Sequence, residues 1–179
     1  MTKCKMKQLV LAVGVALGGM GLVGPAQAIH VSQDRLGQAL VFPYYSVRGG
    51  WITTISLTNT SSTDFVAVKV RFNEAYNSRD ALDLNVVLSP NDIWNAWVAD
   101  TANGPAIYTV DKSCTAPQIP TAGGLFPGQP AYTTTQADGG PTTVDRMREG
   151  YVEAIMMGTA NKTRLQAQLG SPLQAISNT

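Results

Sequence analysis

The stretch Trp51 to Phe72, WITTISLTNTSSTDFVAVKVRF, decides the fold because it contains two runs in which apolar and polar residues alternate. In the second run every even-numbered position from Val66 to Phe72 is apolar, while Lys69 and Arg71 lie between them. Successive side chains of a strand point to opposite faces, so this period of two indicates a strand with one buried face.

The first run has the same period and is rich in threonine, whose branched Cβ suits a pleated surface. One face is formed by Trp51, Thr53, Ile55 and Leu57. The connection 59–63 is short and polar, and its side chains can hydrogen-bond to nearby backbone groups. We therefore expect the two runs to form a β-hairpin, with a second sheet covering its apolar face.

A strand over Gln38–Val47 is expected to precede this hairpin. Its apolar face is predicted to hold Leu40, Phe42 and Tyr44. Pro43 cannot donate a hydrogen bond to a sheet, which predicts a position at a sheet edge or a bend. The following Arg48-Gly49-Gly50 is predicted to turn the chain with positive φ angles, so that this strand pairs with 51–59.

Alternation continues after the hairpin. Leu82, Leu84, Val86 and Leu88 predict a fourth strand. Ser89 and Pro90 resemble the start of a helix, and four apolar residues at helical spacing follow: Ile93, Trp94, Trp97 and Val98. This pattern predicts a short helical turn, and Ile107–Val110 predicts a short fifth strand.

The rest of the chain is less regular. Residues 111–148 are rich in proline and glycine, which predicts a long loop, with Phe126 and Tyr132 as the large side chains that could fix it. The apolar run Gly150–Gly158 predicts a central strand, and Asn161–Leu169 a short helix. Together these elements predict an all-β antiparallel β-sandwich, immunoglobulin-like in general architecture, with one short helical turn.

The first 28 residues have the pattern of a secretory signal. Three lysines precede the apolar segment Leu9–Val23, and Ala26-Gln27-Ala28 fits the small-residue cleavage rule. A membrane anchor is the alternative, but about fifteen apolar residues are short for a bilayer core of about 30 Å. We therefore expect cleavage, a single mature domain over 29–179, no membrane span after cleavage, and export to the periplasm, the cell surface or the medium.

Export changes the count of cysteines. Cys4 leaves with the signal, so Cys114 is expected to be the single cysteine of a mature chain in an oxidising compartment. It is predicted to be either a buried free thiol or the partner of a cysteine in another chain or in a continuation of this chain past Thr179. The last residues carry no terminal signal, so the question of whether the chain is truncated stays open.

The composition argues against several classes of function. The net charge is +1, and no run of basic residues follows the first few, so nucleic acid is not an expected partner. The sole histidine, His30, lies two residues after the predicted cleavage site and raises the alternative of a copper enzyme acting on polysaccharide. No second histidine exists to complete such a site, and no cofactor is predicted.

Carboxylates offer a further alternative, either as calcium ligands or as acids for glycoside hydrolysis. The relevant residues are Asp80, Asp83, Asp92 and Asp100, with Glu153 as an acid inside an apolar strand. The simpler interpretation is that they are solvated loop residues. The sequence contains no glycine-rich phosphate loop and no nucleophilic serine turn, so no catalytic set is complete and the question of enzymatic activity stays open.

These observations favour a secreted or cell-surface structural or binding module that is not an enzyme, such as a subunit of a surface fibre or an adhesin. Its partners would be other copies of itself or surface components, with an arm such as 29–37 adding a strand to a neighbour's edge. The alternative is a carbohydrate-binding module or a carbohydrate-active or copper enzyme. The aromatic residues predicted to stack on a ligand are Tyr44, Tyr45, Trp94 and Trp97.

Overall fold

The computed structural model describes residue 32 and residues 36–127 and 137–164, and this part of the chain is mostly antiparallel β-structure. Its strands all belong to one compact unit, Gly37–Thr179. The strands are β1 (Ala39–Ser46), β2 (Thr53–Thr58), β3 (Asp64–Glu74), β4 (Asp80–Leu88), β5 (Ile93–Thr101), β6 (Gly104–Tyr108), β7 (Cys114–Ala116), β8 (Gly124–Leu125) and β9 (Glu149–Asn161). The prediction of an all-β chain is confirmed.

The strands form two sheets. A five-stranded sheet has the order β1-β9-β3-β4-β7, and a four-stranded sheet has the order β2-β5-β6-β8. A single cluster of buried apolar residues contains members of both sheets, including Val70, Phe72 and Val86 from the first and Ile55, Trp94 and Val98 from the second. Both sheets therefore contribute their apolar faces to one core.

The alternation is confirmed for β4, and for β3 between Val68 and Phe72, whereas a register shift before Val68 buries Phe65 and leaves Val66 only partly buried. Val70 and Phe72 of β3 are fully buried, whereas Lys69 and Arg71 are partly exposed and form ion pairs with Asp83 of β4. β9 lies between β1 and β3, so the prediction of a central strand near Gly150–Gly158 is also confirmed.

The expected hairpin between the two alternating runs is wrong. β2 pairs with β5, while β3 pairs with β4 and β9, so the connection 59–63 passes from one sheet to the other. The buried Asn59 side chain holds this crossing, since its amide donates hydrogen bonds to Asp64 O at 2.7 Å and to Ser89 O at 2.8 Å. Alternation decides which face of a strand is buried, but it does not decide which strand lies beside it.

The expected pairing of the first strand with β2 is also wrong, because β1 pairs with β9. A 3-10 turn, η1 (Arg48–Gly50), carries the chain from β1 into the other sheet, and Gly49 and Gly50 have the predicted positive φ angles of 64° and 81°. β1 is an edge strand, as Pro43 predicts. The register shifts between Phe42 and Tyr45, and this bulge buries Tyr45 and exposes Tyr44, which corrects the predicted face.

The helical turn expected after Ser89 is a strand instead. Ser89 and Asp92 close a tight turn, in which Ser89 N donates to Asp92 Oδ2 at 3.1 Å and Asp92 N donates to Ser89 O at 3.1 Å. In β5 the buried residues are Trp94, Ala96 and Val98, which is a period of two. The capping pattern at Ser89 therefore forms a turn between strands rather than the start of a helix.

The proline- and glycine-rich segment 111–148 is less of a loop than predicted. It contains β7, β8 and a second 3-10 turn, η2 (Val144–Arg148), and Phe126 is buried with its ring 5.0 Å from that of Phe72. The predicted fifth strand forms slightly earlier, as β6. The signal segment, Tyr132 and most of the predicted C-terminal helix lie outside the described residues, of which 162–164 are helical. Within the described ranges no helix is long and apolar enough to cross a membrane.

Candidate ligand-binding groove

An open groove with a volume of about 530 Å³ lies where β1 ends and β2 begins. We call it the aromatic groove, and it is lined by Tyr44, Ser46, Arg48, Gly49, Trp51, Ile52 and Thr53. Trp51 is 74% exposed and Tyr44 62% exposed. Large aromatic side chains at such exposure leave apolar surface in water, and this volume falls in the usual range of small-molecule sites, about 300 to 1,000 Å³.

The turn that precedes Trp51 keeps its side chain exposed to solvent. Gly49 and Gly50 adopt left-handed angles that other residues reach only with strain, and Trp51 N donates to Arg48 O at 3.2 Å. β2 begins two residues later, so Trp51 does not belong to the alternating pattern of the strand. The alternating pattern predicts Trp51 on the buried face, and the structure corrects this.

The floor of the groove is a hydrogen-bonded junction between β1 and β2. Thr53 Oγ1 donates to Ser46 O at 2.9 Å and accepts a hydrogen bond from Ser46 N at 3.1 Å. On β1 the bulge turns Tyr44 outward, and its hydroxyl donates to Glu149 Oε2 at 3.3 Å. Both aromatic rings therefore project from backbone that is fixed by hydrogen bonds.

Arg48 forms the charged wall of the groove. Its Nη1 donates to Asp145 Oδ1 at 2.9 Å, and its Nη2 donates to Asp145 O at 3.0 Å. Its Nε lies 2.9 Å from Glu149 Oε1, close enough for an ion pair although this N–H is not aligned for a hydrogen bond. Hydrogen bonds from Arg48 and Arg148 hold the pKa of Asp145 below its usual value, so this carboxylate stays ionised at a lower pH than a free aspartate does.

The aromatic residues predicted to bind a ligand do not form one site. Tyr45 and Trp94 are fully buried, and the Tyr45 hydroxyl donates to Met147 O at 2.8 Å within the core. Neither ring is accessible to a ligand. Trp97 is half-buried and stacks on Tyr108 with ring centroids 5.6 Å apart. Tyr44 alone of the four lines the aromatic groove.

The carboxylates considered as calcium ligands or as acids bond to other side chains of the protein. Asp80 and Asp83 pair with Arg71, and Asp100 pairs with Arg148 at 2.9 Å. Glu153 accepts a hydrogen bond from Asn73 at 3.2 Å. In the ranges 36–127 and 137–164 no three histidine, cysteine or acidic side chains are grouped so that they could hold a metal ion.

The predictions for the thiol and for the histidine are both untested. Cys114 is half-buried at the start of β7 and forms no disulfide within the described residues, so its pairing with a cysteine elsewhere stays a prediction. His30 lies outside the described residues, so the copper hypothesis stays a prediction.

A buried ionic cluster that no sequence pattern predicts lies beneath residues 137–148. Arg146 Nη2 is 2.9 Å from Glu74 Oε1, and these two side chains are 1% and 0% exposed. Arg146 also bonds to Asp138, and its guanidinium lies 5.2 Å from the centre of the Tyr76 ring. Glu74 in turn accepts backbone N–H groups from the turn that follows β3. Residues so distant along the chain form no sequence motif, so no pattern could have indicated this cluster.

Comparison with known proteins gives no relative: no protein-family model, no curated protein and no solved structure matches the chain. We therefore infer the function from the geometry of the groove itself.

Proposed function

We propose that this chain is an exported binding module, without catalytic activity of its own, that holds a saccharide in the aromatic groove. The observation that carries the proposal is the pair of exposed rings, Trp51 and Tyr44, beside a charged wall formed by Arg48, Asp145 and Glu149. A saccharide has an apolar face of C–H groups and an edge of hydroxyl groups. The rings suit the face, and the charged groups suit the edge.

The proposal includes a β-sandwich of general immunoglobulin-like shape, with the two sheets packed face to face. It is supported by the single core cluster to which both sheets contribute. In such sandwiches the segments that link the sheets lie at the ends and carry binding sites on a rigid support. The turn η1 is such a segment. Export, a surface location and an adhesin-like role are parts of the same proposal, and they are supported by the signal-like first 28 residues.

The first prediction concerns Trp51. We expect Trp51→Ala to abolish binding to the saccharides that the wild-type protein recognises on a glycan array, and to weaken binding in calorimetric titration by about tenfold or more, because the variant removes the stacking surface. Because Trp51 is 74% exposed, the melting temperature should stay unchanged.

A control and a second variant sharpen this test. Val110→Ala removes another exposed apolar side chain that does not line the groove, and it should bind like the wild type. Tyr44→Phe keeps the ring but removes the hydroxyl that donates to Glu149, so it should bind more weakly without losing recognition. A wild-type protein that binds no glycan, or equal losses in Trp51→Ala and Val110→Ala, would refute the proposal.

A further inference from the structure

The edges of the two sheets differ in how well they are protected. An edge strand offers unpaired N–H and C=O groups to other chains, and proteins usually block this with proline, bulges, charges or short strands. β1 contains Pro43 and the bulge between Phe42 and Tyr45. At the other edges, β7 has three residues and β8 has two. These three edges are therefore poor templates for pairing.

The fourth edge, β2, has none of these features. Its sequence TTISLT contains no charge, no proline and no glycine. Its register with β5 runs without a break from Thr53 to Thr58. β2 is thus a regular, uncharged edge strand of six residues, which is the kind of edge that pairs most readily with another strand.

The backbone of β2 directs alternate groups away from its sheet. Asn59 N donates to Asp92 O at 2.8 Å, and in an antiparallel ladder such bonded pairs recur at every second residue. The odd-numbered residues of β2 therefore bond to β5, and Thr54, Ser56 and Thr58 direct their N–H and C=O groups outward. These three residues are exposed, and none of the described residues forms a hydrogen bond with their outward groups.

We propose that β2 pairs antiparallel with β2 of a second copy, with the two-fold axis at Ser56. In this register Ser56 lies opposite the partner's Ser56, and Thr54 lies opposite the partner's Thr58. Each of these pairs exchanges both backbone hydrogen bonds, because all three residues direct their groups outward. The dimer joins the two four-stranded sheets into one continuous sheet.

A second copy fits this edge because β2 is complementary to itself. The register matches even-numbered residues with even-numbered residues, so polar side chains continue the exposed face and Ile55 meets the partner's Leu57 on the buried face. Threonine pairs opposite each other across strands are favourable. No charge lies on β2, so the two-fold axis brings no like charges together. Symmetry of this kind closes on a dimer and does not propagate into a fibre.

Sedimentation velocity of the exported protein tests this proposal. We expect the wild type to be a dimer at micromolar concentration. Ser56→Lys and Ser56→Glu should each be monomeric, with the dimer dissociation constant raised by about tenfold or more, because the two-fold axis brings like charges face to face. An equal mixture of the two variants should dimerise again, because lysine then lies opposite glutamate. Since Ser56 is exposed in the single chain, both variants should keep the β-sheet circular dichroism spectrum of the wild type, which shows that they fold.

The control is Asn95→Lys, which adds the same charge on the neighbouring strand. Asn95 is exposed and lies opposite Ser56 in the pairing of β2 with β5, but it is not at the edge. It should leave the dimer intact. A wild type that stays monomeric at all concentrations would overturn the proposal and would leave the edge to a strand of another protein. Dimers that persist in Ser56→Lys, or a mixture that stays monomeric, would overturn it as well.

Discussion

Arg146 shows how a single side chain can hold a loop against a sheet. Its guanidinium bridges Glu74, at the end of β3, and Asp138, in the segment before η2. A buried ion pair adds little compared with an apolar pair of the same shape, but removing one partner leaves the other charge buried and uncompensated. The segment 137–148 therefore depends on this cluster for its position.

Variants of two arginines test the contribution of the buried cluster. Arg146→Met should lower the free energy of unfolding by about 3 to 5 kcal/mol, because Glu74 stays buried without its cation. Arg71→Met removes an arginine of partly exposed ion pairs, and it should cost less than about 1 kcal/mol. Urea denaturation measures both values. Equal costs for the two variants would mean that the buried cluster does not carry this stability.

The groove also shows what residue patterns can and cannot predict. The glycines after Arg48 predicted a positive-φ turn, and Tyr44 was among the predicted ligand-binding residues. The bulge that exposes Tyr44 leaves no mark in the alternation, because it adds an unpaired residue within an apolar run. The role of Arg48 was not predicted, since its acidic partners lie about a hundred residues away in the chain.

Among the strands, β5 shows that one sequence can fit both the spacing of a helix and the spacing of a strand. Residues 93, 94, 97 and 98 match a helical spacing, but buried positions 94, 96 and 98 match a strand. The spacing of the apolar residues could not distinguish a helix from a strand, because the contacts that decide between them are hydrogen bonds to β2 and β6. The alternation of β3 and β4 was predictable for the opposite reason, because Lys69, Arg71 and Asp83 all stand at odd-numbered positions between apolar even-numbered ones.

A pair of tryptophan variants tests the orientation of this strand. Trp94→Ala should cost about 3 to 5 kcal/mol of stability, because it opens a cavity in the core. Trp97→Ala should cost about 1 kcal/mol, because it removes a half-buried ring stacked on Tyr108. On a helix the two side chains would share a face and their costs would be similar, so similar losses in thermal melting would contradict the strand.

At the scale of the whole molecule, several carboxylates share one response to acid. Burial raises the pKa of Glu74, but hydrogen bonds from Arg146 and from backbone N–H groups outweigh it, so the pKa lies below the ordinary value. Hydrogen bonds from Arg146 and Asn77 hold the pKa of Asp138 well below its usual range. The pKa of Asp145 is lowered as well. The folded state therefore binds these protons less readily than the unfolded chain.

These lowered pKa values determine how the stability of the fold changes with pH. Stability should be constant above about pH 5 and should fall as the pH drops through the ordinary carboxylate pKa of about 4 and below it, because the unfolded state then binds more protons. Urea midpoints at pH 7, 5 and 3 measure the effect, and Arg146→Met should show a smaller loss between pH 5 and pH 3. Stability that rises on acidification would contradict this prediction.

The position of β9 has a consequence for how the chain is made. β9 pairs with β1 and with β3, and among the described strands it is the last to be synthesised, so Ala39 can pair with Ile155 only late in synthesis. Until then β1 has no partner strand in its sheet, and β3 pairs only with β4. Contacts so distant along the chain slow folding, typically to milliseconds or seconds. The five-stranded sheet therefore forms only after β9 has been synthesised, so β1 stays unpaired while the strands between it and β9 are being made.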